Sequence, residues 1–337
     1  MAEPFLCLRL EERREVLESA FGRGLARSTA LLEKDAWVVW TLQALFTAPF
    51  ADALVFKGGT SLSKAYNVIR RFSEDVDLTY DIRKLTDELA GQPQRLSDAE
   101  AKSLARRIRE RLLPRLLEIE IKPYLETEIG ADGLPATVGC EGENLFVIYE
   151  AAADYPAYVR PRVKLEFGAR STGEPATQRT VTCELAPAFP ELTFPSATPR
   201  VMRPERTFWE KATLAHVYCL EGKLRGATGF ARHWHDLIRL DEAGFAAAAI
   251  ADRDLAKAVA DHKSKFFPAK DAQEAAIDYH AAVGGHLALV PLGQAFVLLK
   301  SDYDAMIEAG YLEGDAEPFE TLMDRCADLQ DRINSSA

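Results

Sequence analysis

The sequence predicts an α+β protein: a mixed first half in which short strands and helices alternate, followed by an all-helical second half. Two observations predict it. Short apolar or alternating runs bounded by glycine and charge ("ALVF", "EDVDLTYD", "NLFVIYE", "VKLEFG") fall between residues 53 and 168, where β-type patterning is expected. Beyond Val201 nearly every segment repeats its apolar residues at helical intervals. The length of 337 residues favours about two domains, with the boundary expected near residues 195 and 196.

Taken in chain order, "STALLEKDAWVVWTLQALF" places Leu32, Trp37, Trp40, Ala44 and Leu45 at helical spacing, with Ser28 as a candidate N-cap. "ALVF" is a short buried strand stopped by Gly58-Gly59. Thr60 or Ser61 can cap a helix running to about Arg70, and "EDVDLTYD" is the next strand. Ser97-x-x-Glu100 is a capping-box pattern. It opens a long helix with Leu104, Ile108, Leu112 and Leu116 four apart, and Pro114 is expected to kink or break it. The same helix carries Arg106, Arg107, Arg109, Arg111 and Arg115, a solvated face or an RNA-backbone contact. From Ala136 to Ala186 the texture is β, with "ARSTGEPATQ" as a polar turn; "PAFPELTFPSATPR" is a connector. "ERTFWEKATLAHVYCL", "ARHWHDLIRL" and "GFAAAAIADRDLAKAVADH" are helical.

The totals narrow the function. With 41 Lys+Arg and 52 Asp+Glu, the net charge of −11 argues against wholesale non-specific binding to nucleic acid, while leaving room for a local basic patch. The five scattered cysteines contain no C-x-x-C pair, so reduced thiols are expected rather than a zinc knuckle or disulfide framework. "MAEPFLCLRLEERREVLESA" lacks the apolar core of a signal peptide. The apolar stretch from Ala36 to Phe56 is interrupted by Gln43, Pro49 and Asp52, so no membrane span is expected. A soluble, cytoplasmic protein is the expectation.

Two short motifs carry the chemistry. In "FKGGT", glycine reaches positive φ without steric cost and lets another group approach the backbone. A helix start beyond it would offer N–H groups to a phosphate, although many strand-to-helix turns hold Gly-Gly for steric reasons alone. The motif is neither G-x-G-x-x-G nor a Walker A loop. In "EDVDL", Asp75 and Asp77 share one face of a strand while Val76 and Leu78 face the core. Carboxylates about 6 Å apart repel by about 3 kcal/mol at an effective dielectric of 20, unless cations neutralise them. Magnesium, which takes carboxylate oxygens together with substrate phosphates, suits such a pair. An exposed strand with alternating acids is the alternative.

"FKGGTSLSKAY" with "RFSEDVDL" resembles the signature of the polymerase-β-like nucleotidyltransferases, and more closely the AbiEii/AbiGii (MenT-like) toxins of toxin–antitoxin and phage-defence systems. The resemblance covers most of the chain. It implies a nucleotidyltransferase core with a mixed sheet flanked by helices over residues 1–195, and a helical domain over 196–337. It further implies that Lys211 in "ERTFWEKATLAH" and Asp236 in "RHWHDLIRL" are catalytic with Asp75 and Asp77, and that Gly58, Gly59, Thr60, Ser73 and Lys211 contact the nucleotide. From the residues alone, Lys211 is a surface lysine and Asp236 a helix-surface acid or a partner for Arg232 or Arg239. His233 and His235, two apart on a helix, face different ways and make a poor metal pair. The superfamily pattern calls for a third carboxylate. Glu166 in "RVKLEFG" is the candidate, although a Lys164–Glu166 pair supporting the sheet explains the same residues.

The implied reaction is transfer of NMP from an NTP, with two Mg2+ ions (or Mn2+) at Asp75, Asp77 and Glu166. The implied acceptor is RNA, foremost the tRNA 3′ end, and the implied partner a cognate antitoxin. Arg70-Arg71, Arg203/Arg206 and Lys263/Lys265 are candidate phosphate contacts, as are Arg71 and Ser73 for the nucleotide. Alternatives are an enzyme of the same chemistry acting on a protein or small molecule, and a catalytically silent nucleotide-binding protein.

Overall fold

A computed structural model describes residues 2–336 except 72–74, 86–95, 156–158, 224–228 and 313–315. The chain divides into two compact units. One comprises residues 1–65, 74–91 and 106–201; the other comprises 66–73, 92–105 and 202–337.

The first unit is built on a seven-stranded mixed sheet. Its strands are β1 (Leu54–Lys57), β2 (Asp75–Tyr80), β3 (Ala136–Glu141), β4 (Asn144–Tyr149), β5 (Arg162–Gly168), β6 (Ala176–Gln178) and β7 (Arg200–Met202), in the order β3-β4-β5-β2-β1-β7-β6. β1 is antiparallel to β2, with Lys57 opposite Asp77, and β2 is parallel to β5. The strands form where the sequence alternates. Val76, Leu78, Val163, Leu165, Leu145 and Val147 are buried, while the residues between them in β2 and β5 are left for the other face. Two regions read as irregular contribute pairing. The polar turn contains β6, and the proline-rich connector holds two-residue strands at Leu192–Thr193 and Ser196–Ala197 and leads into β7 at its last residue, Arg200. Runs of two or three residues are too short to show a period.

Helix α1 (Leu10–Ser19) precedes α2 (Thr29–Thr47), whose Leu32, Trp37, Trp40, Ala44 and Leu45 are all buried as their spacing predicts. Trp37 stacks on Tyr149 of β4 with ring centroids 4.7 Å apart. Ser28 occupies the N-cap position of α2 but makes no side-chain cap bond. The acids of α2 are buried with partners. Glu33 accepts the Ala152 N–H at 2.9 Å and the Ala153 N–H at 3.1 Å, and Asp35 accepts the Glu184 N–H at 2.7 Å and pairs with Lys64. Helix α3 (Gly58–Lys64) follows β1 and ends well short of Arg70.

The helical path from α4 (Asp98–Arg107) to α5 (Lys122–Ala131) does not break at Pro114. Two π turns absorb its prolines: the Leu113 N–H bonds the Ile108 carbonyl just before Pro114, and the Lys122 N–H bonds the Leu117 carbonyl just before Pro123. Each wide turn relieves the clash between a proline ring and the preceding carbonyls. The first also shifts the phase by one residue. Leu113 and Leu117 are buried, rather than the expected Leu112 and Leu116.

In the second unit lie α6 (Pro204–Glu221), α7 (Arg232–Glu242), α8 (Phe245–Ala251), α9 (Arg253–Phe266), α10 (Gln294–Glu308) and α11 (Phe319–Ser335). The alanine-rich run is two helices, because Asp252 stops α8 and caps α9 by accepting the Leu255 N–H at 3.0 Å. Helix α6 is flanked by α7, α8 and α9 and is buried on almost every side. Among the described residues no helix is long and apolar enough to cross a membrane.

Candidate active site

The acidic face of β2 and β5 is set by their register. Asp75 lies opposite Lys164, and Asp77 lies between Glu166 of β5 and Lys57 of β1, so five charged residues occupy neighbouring positions of one sheet face. Asp77 also meets the glycine turn. Gly58 has φ of 77°, and a Cβ added to it would stand 1.9 Å from Asp77 Oδ2. The close approach that the double glycine permits is therefore made by the aspartate itself. Thr60 is buried in α3, and its hydroxyl donates to the Asp75 carbonyl, which fastens the start of β2 to the helix. Ser61 donates to the Gly58 carbonyl at 2.8 Å. Neither hydroxyl caps the helix as expected. Ser73 lies outside the described residues.

Charge on this face is partly balanced from within. Lys164 Nζ is 2.8 Å from Glu166 Oε2 and 3.7 Å from Asp75 Oδ2. Partial burial opposes the ammonium charge, but the Glu166 hydrogen bond and the fields of Asp75, Glu166 and Asp77 outweigh it and raise the Lys164 pKa. The Asp75 side chain keeps 37 % of its surface exposed, so a small ion can reach it. Hard oxygen donors on one strand face, already drawing in a cation, fit magnesium. Glu166, the candidate third donor, bonds Lys164 while about half of its side chain stays exposed. Among the described residues, no three His, Cys, Asp or Glu side chains gather to hold a metal ion.

The second unit contains a buried charge cluster. Asp236 of α7 is fully buried and accepts two parallel bonds from Arg71, Nε to Oδ1 at 2.7 Å and Nη2 to Oδ2 at 2.8 Å. Lys211 Nζ of α6 is 2.9 Å from Asp236 Oδ2. Burial opposes ionisation of Asp236, yet Arg71 and Lys211 hold its carboxyl well below the usual range. Desolvation lowers the Lys211 pKa despite that partner. His233 Nδ1 lies 3.4 Å from Lys211 Nζ; lost solvation and the neighbouring Lys211 and Arg232 keep the imidazole neutral. His235 Nδ1 contacts Asp236 at 3.5 Å, so the two histidines serve different partners, as their spacing implied.

This arrangement corrects several residue-level expectations. Lys211 is not a surface lysine: it keeps only 8 % exposure, because α6 is enclosed and no face of it is free. Asp236 pairs with Arg71 and Lys211; Arg239 instead binds Glu242 and Glu317. Arg71 is occupied by Asp236 rather than presented to phosphates, and sequence offers no signal for a partner 165 residues away. Arg203 binds Glu205 at 2.9 Å with its side chain still exposed, and buried Arg206 binds Glu210 at 3.1 Å. Lys263 lies over the Phe267 ring, 5.0 Å from its centroid.

A family profile described as "Nucleotidyl transferase AbiEii toxin, Type IV TA system" matches residues 40–325, so the chain belongs to the AbiEii family of nucleotidyltransferase toxins. Its activity class is nucleotidyl transfer, and its biological class is the toxin of a toxin–antitoxin system. Among solved structures the chain is similar to MenT4, a nucleotidyltransferase toxin from Mycobacterium tuberculosis H37Rv. That likeness has 20 % identity and a TM-score of 0.41, and covers 96 % of this chain and 87 % of that one. No curated protein matches the chain.

Proposed function

We propose that the protein transfers a nucleoside monophosphate from an NTP to an RNA acceptor, the 3′ end of tRNA, with release of pyrophosphate and a requirement for magnesium. The observation that carries this reading is the placement of Asp75 and Asp77 on one strand face with Asp77 seated against Gly58. Those two carboxylates would hold the metal. A bound divalent ion supplies Lewis-acid polarisation of phosphoryl oxygens and acidifies an attacking hydroxyl.

The chain's own residues have distinct tasks. Thr60 fixes the start of β2 through the Asp75 carbonyl and so aims the first aspartate. Gly58 leaves room for the second. In the second unit, Lys211 is the cation for phosphate charge, a point ammonium suited to that task. Asp236 is its positioning residue, and Arg71 in turn fixes the Asp236 carboxylate from its other side. A cognate antitoxin is the protein partner that a toxin of this class requires for its control.

Incubation with Mg2+, each NTP labelled at the α-phosphate and total cellular RNA and protein tests the proposal. Label on tRNA is expected. Label confined to protein or a small molecule would overturn the acceptor, and its absence from every fraction would overturn the transfer reaction itself.

A further inference from the structure

Lys164 is the one basic residue among the four that β2 and β5 bring together on this face, Asp75, Asp77, Lys164 and Glu166. Adjacent strands of a sheet lie about 4.8 Å apart, so without that lysine three carboxylates would crowd the same face. Its ammonium bridges the strands, bonding Glu166 at 2.8 Å and standing 3.7 Å from Asp75. It therefore takes the position a second cation would need, and it engages Glu166, the acid placed opposite Asp77. The lysine side chain is about 31 % exposed, so it is anchored without being sealed in.

From this geometry we infer that Lys164 is a resident counter-cation that limits the site to one divalent ion, held by Asp75 and Asp77, in place of the two ions otherwise expected. The inference rests on the metal reading of the aspartate pair under the proposed function. In the one-ion site, Glu166 keeps Lys164 in place and Lys164 tempers the repulsion around Asp75. Replacing the ammonium with an apolar chain of similar length returns Glu166 to the ligand set and leaves the three carboxylates with Lys57, opposite Asp77, as the remaining lysine of that register. Divalent ions should then bind more tightly and in greater number.

The test is titration of the full-length protein with Mn2+ alone, following free Mn2+ by electron paramagnetic resonance, for the wild type, Lys164→Met, Lys164→Met/Glu166→Gln and Asp75→Asn/Asp77→Asn. One ion per wild-type chain is expected, with two per Lys164→Met chain or a single ion held about tenfold tighter. The Lys164→Met/Glu166→Gln protein should return to one. Melting in the absence of metal gives a second readout: Lys164→Met should melt lower than wild type and recover more on adding Mn2+. Two ions already bound by wild type, or unchanged stoichiometry, affinity and melting in Lys164→Met, would overturn the inference while leaving the aspartate site standing. Wild type that binds no more Mn2+ than Asp75→Asn/Asp77→Asn would overturn the metal reading itself, and this inference with it.

Discussion

The carboxylate of Asp77 occupies the space that a side chain on residue 58 would need: an added Cβ there would lie 1.9 Å from Oδ2 and 2.6 Å from Cγ. The glycine turn and the acidic strand are thus one device. Glycine is required twice over at this position, by the contact and by φ of 77°.

Gly58→Ala is accordingly expected to do more than strain a turn. The left-handed backbone alone costs about 1 kcal/mol, and the methyl group must also displace the Asp77 carboxylate. Chemical denaturation should show a loss of at least about 2 kcal/mol, drawn from both effects. Nucleotidyl transfer should fall with it. An alanine variant with unaltered stability and activity would show that the close contact is not required.

The buried cluster in the second unit separates folding from chemistry. Asp236→Asn leaves Arg71 and Lys211 facing each other without a counter-charge, which is expected to cost about 3–5 kcal/mol. Lys211→Met keeps the two parallel Arg71–Asp236 bonds and should retain most of the stability while losing transfer. Urea unfolding and a labelled-NTP assay on the two variants check this. A Lys211→Met protein as active as wild type would remove the lysine from the mechanism.

His216 links stability to pH. Burial pushes its pKa down to about 4, and its Nδ1 accepts the Ala288 N–H at 3.0 Å. The folded protein therefore stays neutral at this residue where the unfolded chain, near 6.5, takes up a proton. Stability from this group is full above about pH 6.5, falls as pH drops toward 4, and levels below that. The contribution lost between pH 7.5 and 5 is about 2 kcal/mol. His216→Asn, which keeps an acceptor but does not titrate, should show a smaller drop over that interval in urea unfolding; an equal drop would assign the pH dependence elsewhere.

An RNA acceptor must be held against a net charge of −11. Its affinity should come from local basic residues and fall steeply with salt. Arg111 and Arg115 are exposed on the long helical path, and changing both to glutamate should weaken binding if that face contributes. Filter binding of tRNA between 50 and 200 mM salt, taken as about a fourfold range in ionic strength, provides the check. A flat response would contradict a phosphate-based RNA interface.

What the sequence revealed follows from the range of the forces involved. Alternation in "EDVDL" identified which acids share a face, and helical spacing identified the buried side of α2, because both are local periodicities. The Gly-Gly turn was legible as a close approach, but not as one made by Asp77 itself. The fate of Lys211 was less visible: its own helix gave it a polar position, and only the packing of α7, α8 and α9 around α6 buries it. Arg71–Asp236 is a pairing over 165 residues and leaves no local trace. The phase of the long helix escapes its periodicity for a related reason, since a π turn inserts one residue that a fixed period cannot anticipate.

The central claim is that Asp75 and Asp77 carry the chemistry. Its most direct measurement is the rate of label transfer from an α-phosphate-labelled NTP by Asp75→Asn/Asp77→Asn, with far-ultraviolet circular dichroism and a melting curve to establish that the sheet is intact. The account predicts a folded protein whose transfer rate has dropped by at least about 10²-fold at every Mg2+ concentration. A folded double variant that still transfers nucleotide at the wild-type rate would contradict it.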